Sequence, residues 1–436
     1  MSEGMPLMSR KSGPRELKQT LGLFDAAAIS VGAIIGAGIF VVTGIAAAAA
    51  GPALVISMLI AAAVSLFTAL SIAQLAAWQP KEGSIYEYAY QLVSPFAGFL
   101  VGWMWMISNV FAGAAVSLGF AHYLAGWFPF LPAAWTAPLV CLGFTAVNYF
   151  GVRQSARLNN VIVVAKLLIL AFFAVFGLLH IKTANFVPFA SSKVGVLYGA
   201  CFIFFAYGGF ARVAIVAEEI RDAKRNVPRA IMISLAVSTA VYLVVGVVAV
   251  GLVGAPVLAA SKSPLTRAVA ATGSGPAASV VSTGALLATA GVLLTSILGV
   301  SRMAYAMARR QDLPGALSRL HPKYHTPGLA VWLTGALMTL LILTADLSRV
   351  VTVSTFALLF YYTIANLSAL RMEAADRLYP RSVSVLGAVS CLVLSIFIFF
   401  AAREAWLIGV AVLAAGALLY AMKKAKAGAE RSTRAL

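Results

Sequence analysis

Apolar runs of about twenty residues follow one another along almost the whole chain, and short polar breaks separate them. Few folds accept that pattern. A membrane-crossing helix needs roughly 20 such residues, while a barrel strand needs about ten with alternating polarity. The runs here are long and apolar all round, so helices are favoured. Only 11% of the residues are charged, against about 25% in a typical soluble domain. With a mean hydropathy of +0.94, the chain reads as an all-α polytopic membrane protein. Twelve candidate spans start near residues 22, 52, 95, 134, 158, 194, 229, 280, 328, 348, 383 and 404.

The net charge of +18 raises the possibility of a nucleic-acid partner. The basic residues instead sit mostly in short loops between apolar runs, with no aromatic residues interleaved. Most of the 32 Lys and Arg fall on one side when the N-terminus is placed inside. The other side holds Lys182, Lys193, Lys262, Arg267, Arg349 and Arg403. Positive charge marks the cytoplasmic side, so both termini are expected there, in a multi-pass protein of the plasma membrane. The compact loops suit a prokaryote. The first twenty residues lack an apolar signal core. Cys141, Cys201 and Cys391 all lie in apolar segments with no CxxC spacing, which suggests neither a disulfide frame nor a zinc site. No metal or cofactor is expected, and the oligomeric state is not readable.

Four connections have some character of their own. Pro80–Ser94 reads as an inner loop with a surface helix, since Tyr86 and Tyr90 are spaced i,i+4. Glu218–Arg229 and Arg309–Gly328 are further inner loops. Gly254–Gly275 reads as the longest outer connection.

Within the first span, VGAIIGAGIF (Val31 to Phe40) holds Gly32, Gly36 and Gly38. Each interior glycine costs a helix about 1 kcal/mol relative to alanine. Two readings compete. Gly32 and Gly36 match the GxxxG spacing that lets helices pack closely. Alternatively the helix is broken near mid-membrane, which is tolerated only beside a cavity or inside protein. A break bares carbonyls on one half-helix and amides on the other. The two ends then suit an ammonium and a carboxylate, the charges of an α-amino acid. The sixth span favours the second reading, because FFAYGGFAR (Phe204 to Arg212) places Gly208 and Gly209 at a similar depth. Interrupted segments at matching positions in two halves point to a transporter site. The two are five spans apart, and an odd number of spans per repeat inverts the second copy. The expected organisation is a tail at 1–20, repeats at 21–182 and 183–372, two further spans within 373–422, and a cytoplasmic tail at 423–436.

GAIIGAGIF, FFAYGGF and AEEIRDAKRNVPRA (Ala217–Ala230), in that order, resemble the amino acid–polyamine–organocation transporters, which share the LeuT-type fold of two inverted five-helix repeats. The resemblance covers the first ten spans. It implies that amides around Gly36, Ala37 and Gly38 hold the substrate carboxylate. Carbonyls of Ile34, Phe205, Ala206 and Gly208 would hold its ammonium, with Phe205 as a gate. The family often has Ser or Thr at the place of Ala37. Similar members with cationic substrates can carry an acid where this chain has Ala211-Arg212, so neutral amino acids are favoured here.

Lys166 lies about nine residues into the fifth span, some 12 Å deep by helix rise. A lysine at the bilayer centre costs about 2.5–3.5 kcal/mol and usually marks an ion or proton pathway. In some proton-coupled relatives a lysine similar to this one puts its ammonium where sodium-coupled relatives bind sodium. Its expected neighbours are Gly32 and hydroxyls of span 8, among Thr289, Thr295 and Ser296. Arg212 is expected near the inner vestibule, paired with Glu218, Glu219 or a carbonyl, and Arg302 to snorkel. Asn109 and the pair Tyr361-Tyr362 are weaker candidates for the pocket lining.

Other classes fit less well. No HExxH and no pair of aspartates within spans supports an intramembrane enzyme. No GxxxxGK[ST] supports a nucleotide-driven pump, and no ring of acids suggests a channel. The reading is a sodium-independent, proton-coupled symporter of neutral L-amino acids. An exchanger, or a permease for cationic amino acids or polyamines, is the alternative.

Overall fold

The computed structural model describes residues 19–36, 38–80, 84–151, 156–189 and 193–434. Ala37 and most of the N-terminal tail therefore lie outside the described residues. The described chain is an all-α polytopic membrane protein. Among the described residues, nine continuous helical stretches are long and apolar enough to cross a membrane, and Gly328–Thr344 is a shorter apolar helix.

The first stretch is interrupted. Helix α1 (Leu23–Ile34) stops, a π-turn follows over Gly38–Val42, and α2 (Thr43–Ala50) resumes. At its start, Asp25 accepts a bond from the Gly22 amide at 3.0 Å, which satisfies one of the free amides of a helix N-terminus. Next come α3 (Leu54–Trp78), the short α4 (Ser84–Leu92), α5 (Pro95–Ala125), α6 (Ala133–Tyr149) and α7 (Ala156–Leu178). The second interrupted stretch is α8 (Lys193–Tyr207), a turn, and the four-residue α9 (Arg212–Ile215). Then follow α10 (Ala223–Ala260), α11 (Pro264–Ala270), α12 (Gly275–Arg309), α13 (Gly328–Thr344) and α14 (Leu347–Leu370). Two more helices, α15 (Arg381–Ala401) and α16 (Arg403–Arg434), complete the order.

After each interruption the helix lengths follow a similar course. They are 25, 31, 17 and 23 residues in α3, α5, α6 and α7. The second series, α10, α12, α13 and α14, has 38, 35, 17 and 24.

Two connections gain detail in the structure. Pro80–Ser94 contains a helix, α4, with one face buried and Gln91 exposed. Tyr86 and Tyr88 are buried, and their hydroxyls donate to Asp312 at 2.7 Å and to the Gln79 carbonyl at 2.8 Å. A buried phenol needs such a partner. Burial, followed by the Asp312 carboxylate, raises the Tyr86 hydroxyl well above its usual pKa. Gly254–Gly275 is mostly helix rather than an open connection. Gly254, with φ +77°, is non-helical and marks a kink where two helical segments of α10 meet, and α11 fills most of the remainder. Glycine is the residue that reaches this left-handed region without strain.

Candidate functional site

The site is built where the two interruptions meet. Each glycine that weakens a helix in the sequence stands against a different neighbour. A Cβ on Gly32 would lie 2.8 Å from Val163 of α7, one on Gly36 would strike Val292 of α12, and one on Gly38 would strike Ala206 of α8. From the other side, a Cβ on Gly209 would collide with the backbone of Ala33 and Ile34. The packing and the broken-helix readings of these glycines are therefore both true. The chain unwinds at Ile35 and Gly36, and the bare backbone of one interruption rests on the other.

The second interruption is wound as successive tight turns. Gly208 N donates to Phe205 O at 3.1 Å and Arg212 N to Gly209 O at 3.1 Å. Hydroxyls from other helices take up freed carbonyls. Ser30 of α1 donates to Phe210 O at 3.0 Å, and Tyr362 of α14 to Gly208 O at 3.0 Å. Tyr242 of α10 joins the two interruptions, its hydroxyl lying 2.6 Å from Ile34 O and 3.0 Å from Ala206 O.

Tyr242, which joins both interruptions, is not singled out by the sequence reading. The available signal was a lone tyrosine amid valines and leucines, whose hydroxyl needs a partner once buried.

Ile34, Gly38, Phe205, Ala206 and Gly208 line one cavity of about 60 Å³, room for a few waters. Gly36 stands behind it, covered by Val292, which does line it. The α5–α14 wall is fixed by a reciprocal pair. Ser108 Oγ donates to Ser354 O at 3.0 Å, and Ser354 Oγ to Ser108 O at 2.7 Å. Ile34 O already accepts from both the Gly36 amide at 2.8 Å and Tyr242 at 2.6 Å, which uses both of its lone pairs.

Lys166 of α7 is 2% exposed. Its Nζ donates to Gly32 O at 3.4 Å and to Ile35 O at 3.3 Å, at the end of α1. Gly291 of α12 faces the ammonium, where a Cβ would stand 3.6 Å from Nζ. The hydroxyls expected near it divide. Thr289 donates back to Ala285 O at 2.7 Å, and Thr295 to Gly291 O at 3.0 Å, both within their own helix. Ser296 is fully buried, lines the cavity, and its Oγ has no hydrogen-bond partner.

Arg212 donates to the Asn109 amide oxygen of α5 at 3.0 Å. Both residues line the cavity, as does Tyr361. A second cavity of about 30 Å³, reaching Tyr86 of α4, shares Asn109, Arg212, Gly208 and Tyr361 with the first. No carboxylate lines either cavity, and among the described residues no His, Cys, Asp or Glu cluster is able to hold a metal. Beyond the second cavity, α4 is fastened to the end of α12 and to α16. Arg310 pairs with Glu87 at 2.7 Å and Lys423 with Asp312 at 2.5 Å. The Glu87 partner holds the Arg310 guanidinium protonated to higher pH than usual.

Two helices broken against each other around a small cavity define a membrane protein that handles a small solute through exposed backbone. The chain belongs to the amino acid permease family, whose profile it matches over residues 21–422. It is similar to an uncharacterized transporter of Mycobacterium tuberculosis, 36% identical over 94% of this chain and 92% of that protein. The branched-chain amino acid permease BcaP of Bacillus subtilis is 32% identical over 87% of this chain and 86% of its own length. Cationic amino acid transporter 4 of Mus musculus is 30% identical over 85% of this chain and 62% of its own.

Proposed function

We propose that this permease is a sodium-independent, proton-coupled symporter of neutral L-amino acids that works by alternating access. The observation that carries the reading is the meeting of two interrupted helices around one cavity, with the Lys166 ammonium on the carbonyls that end α1. Amides around Gly36, Ala37 and Gly38 take the substrate carboxylate. Carbonyls of Ile34, Phe205, Ala206 and Gly208 take its ammonium, which at Ile34 means displacing one of the two donors already there, and Phe205 covers it. The branched-chain name of one relative supports a neutral side chain, and the lack of a lining carboxylate supports it further.

Lys166 is the coupling group of this proposal, with Gly32 beside it and Ser296 the free hydroxyl nearby. An amine whose proton comes and goes replaces a permanent cation. Its hold on α1 then differs between protonation states, which biases one conformation over another. The similar course of helix lengths supports two inverted repeats, 21–182 and 183–372, followed by the α15–α16 pair. Charge in the loops supports a plasma-membrane protein with both termini in the cytoplasm.

Uptake of individual labelled amino acids into sodium-free proteoliposomes tests the proposal. Neutral amino acids are expected to accumulate only with an inward proton gradient. Equal uptake without the gradient, dependent on internal amino acid, would make the protein an exchanger. A strict need for sodium would overturn the reading.

A further inference from the structure

The coupling reading does not use Arg212, yet its guanidinium stands between the two cavities. It is half-buried, lines both spaces, and makes one side-chain hydrogen bond, to the neutral amide oxygen of Asn109. A guanidinium carries five N–H donors and keeps its charge at any physiological pH. Among the described residues it forms no ion pair. An ionised side chain at membrane depth without a counter-charge is costly and typically functional. The cavity wall around it offers only neutral groups, Asn109, Ser108, Ser354 and Tyr361.

Resting on the amino acid reading, we propose that Arg212 sets the charge of the side chain this permease accepts. The two interruptions supply backbone for the α-carboxylate and α-ammonium, so a substrate side chain extends along the wall that Arg212 and Asn109 share. A side-chain ammonium there meets a fixed cation with no counter-charge in the cavity wall. Two like charges about 5 Å apart at an effective dielectric near 20 weaken binding by roughly two orders of magnitude. A side chain ending in a carbonyl or carboxylate meets unused donors instead. Arg212 therefore rejects cationic side chains and favours those that end in a hydrogen-bond acceptor.

Two pairs with matched carbon skeletons read this directly. Lysine and norleucine differ by the terminal ammonium, and glutamate and glutamine by the terminal charge. Binding of each to the purified full-length chain is measured at pH 7 as the thermal shift over a concentration series. The wild type is expected to bind norleucine at least 50-fold more tightly than lysine. In Arg212→Gln that ratio is expected to fall at least tenfold, while the ratio of glutamate to glutamine affinity falls at least fivefold. Arg212→Lys keeps the charge and is expected to keep both ratios near wild type. Ratios are taken within each variant, so a general loss of packing, which moves all four ligands together, cancels.

A wild type that binds lysine as well as norleucine overturns the proposal without any variant. Unchanged ratios in Arg212→Gln overturn it and leave the amino acid reading standing. Binding of none of the four amino acids overturns both.

Discussion

Both interruptions carry glycines and accept from hydroxyls, yet among the described residues only the first has a lysine ammonium on its carbonyls. The end of α1 is held by an ammonium, with Lys166 Nζ on Gly32 O and Ile35 O. The turn after α8 is held by hydroxyls, with Ser30 on Phe210 O and Tyr362 on Gly208 O. Hydroxyl anchors do not change with a proton gradient, whereas an amine anchor can. Under the proposed coupling through Lys166, a proton gradient would act on the first interruption and leave the second as a frame. Tyr242, which touches both, is the link between them.

The sharpest way to break that contrast is Lys166→Ala. Gradient-driven accumulation in proteoliposomes is expected to disappear while the purified protein stays folded and monodisperse. Retained accumulation would remove the distinction between the two interruptions. A smaller but still large effect is expected from Gly209→Ala. Its new methyl meets backbone of Ala33 and Ile34, which cannot rotate away. Overpacking of this kind costs about 1–3 kcal/mol, to be read as a lowered unfolding temperature together with lost uptake. An unchanged Gly209→Ala protein would mean that the two interruptions do not rest on each other. The smallest effect is expected from hydroxyl deletion. Tyr242→Phe removes a donor that serves two carbonyls and should cost about 1 kcal/mol. Tyr362→Phe, which serves one, should cost less. The order of their melting temperatures checks whether Tyr242 couples both sides.

Much of this was legible in the sequence because apolar periodicity and glycine clustering are local signals. The helices, the interruption after Ile34 and the one at Gly208-Gly209 all rest on such signals. What each glycine packs against was not legible. Val163, Val292 and Ala206 are far from their glycines in the chain, and only the folded path brings them together. The same holds for Tyr242, which lies 208 positions from Ile34. Two connections show the same limit. The Tyr86 and Tyr90 spacing marks a helix, but not that Tyr86 finds Asp312 far along the chain and buries itself. Gly254–Gly275 reads as a long outer connection, but not that helical segments fill most of it on the far side of a kink at Gly254. Local patterns say where a helix weakens, while distant partners decide what the weakness is for.

The start of α1 is also bound to the far end of the other interrupted stretch. Thr20 N and Leu21 N both donate to Glu219 O, and Arg221 N donates back to Leu21 O at 3.0 Å. Mechanically this is a tie-rod. A tilt of α1 that preserves these bonds pulls on the segment leading into α10, and α10 carries the tyrosine that grips both interruptions. The two ends of the first helix are thus joined by a second route, through Glu219, Arg221 and Tyr242 of α10.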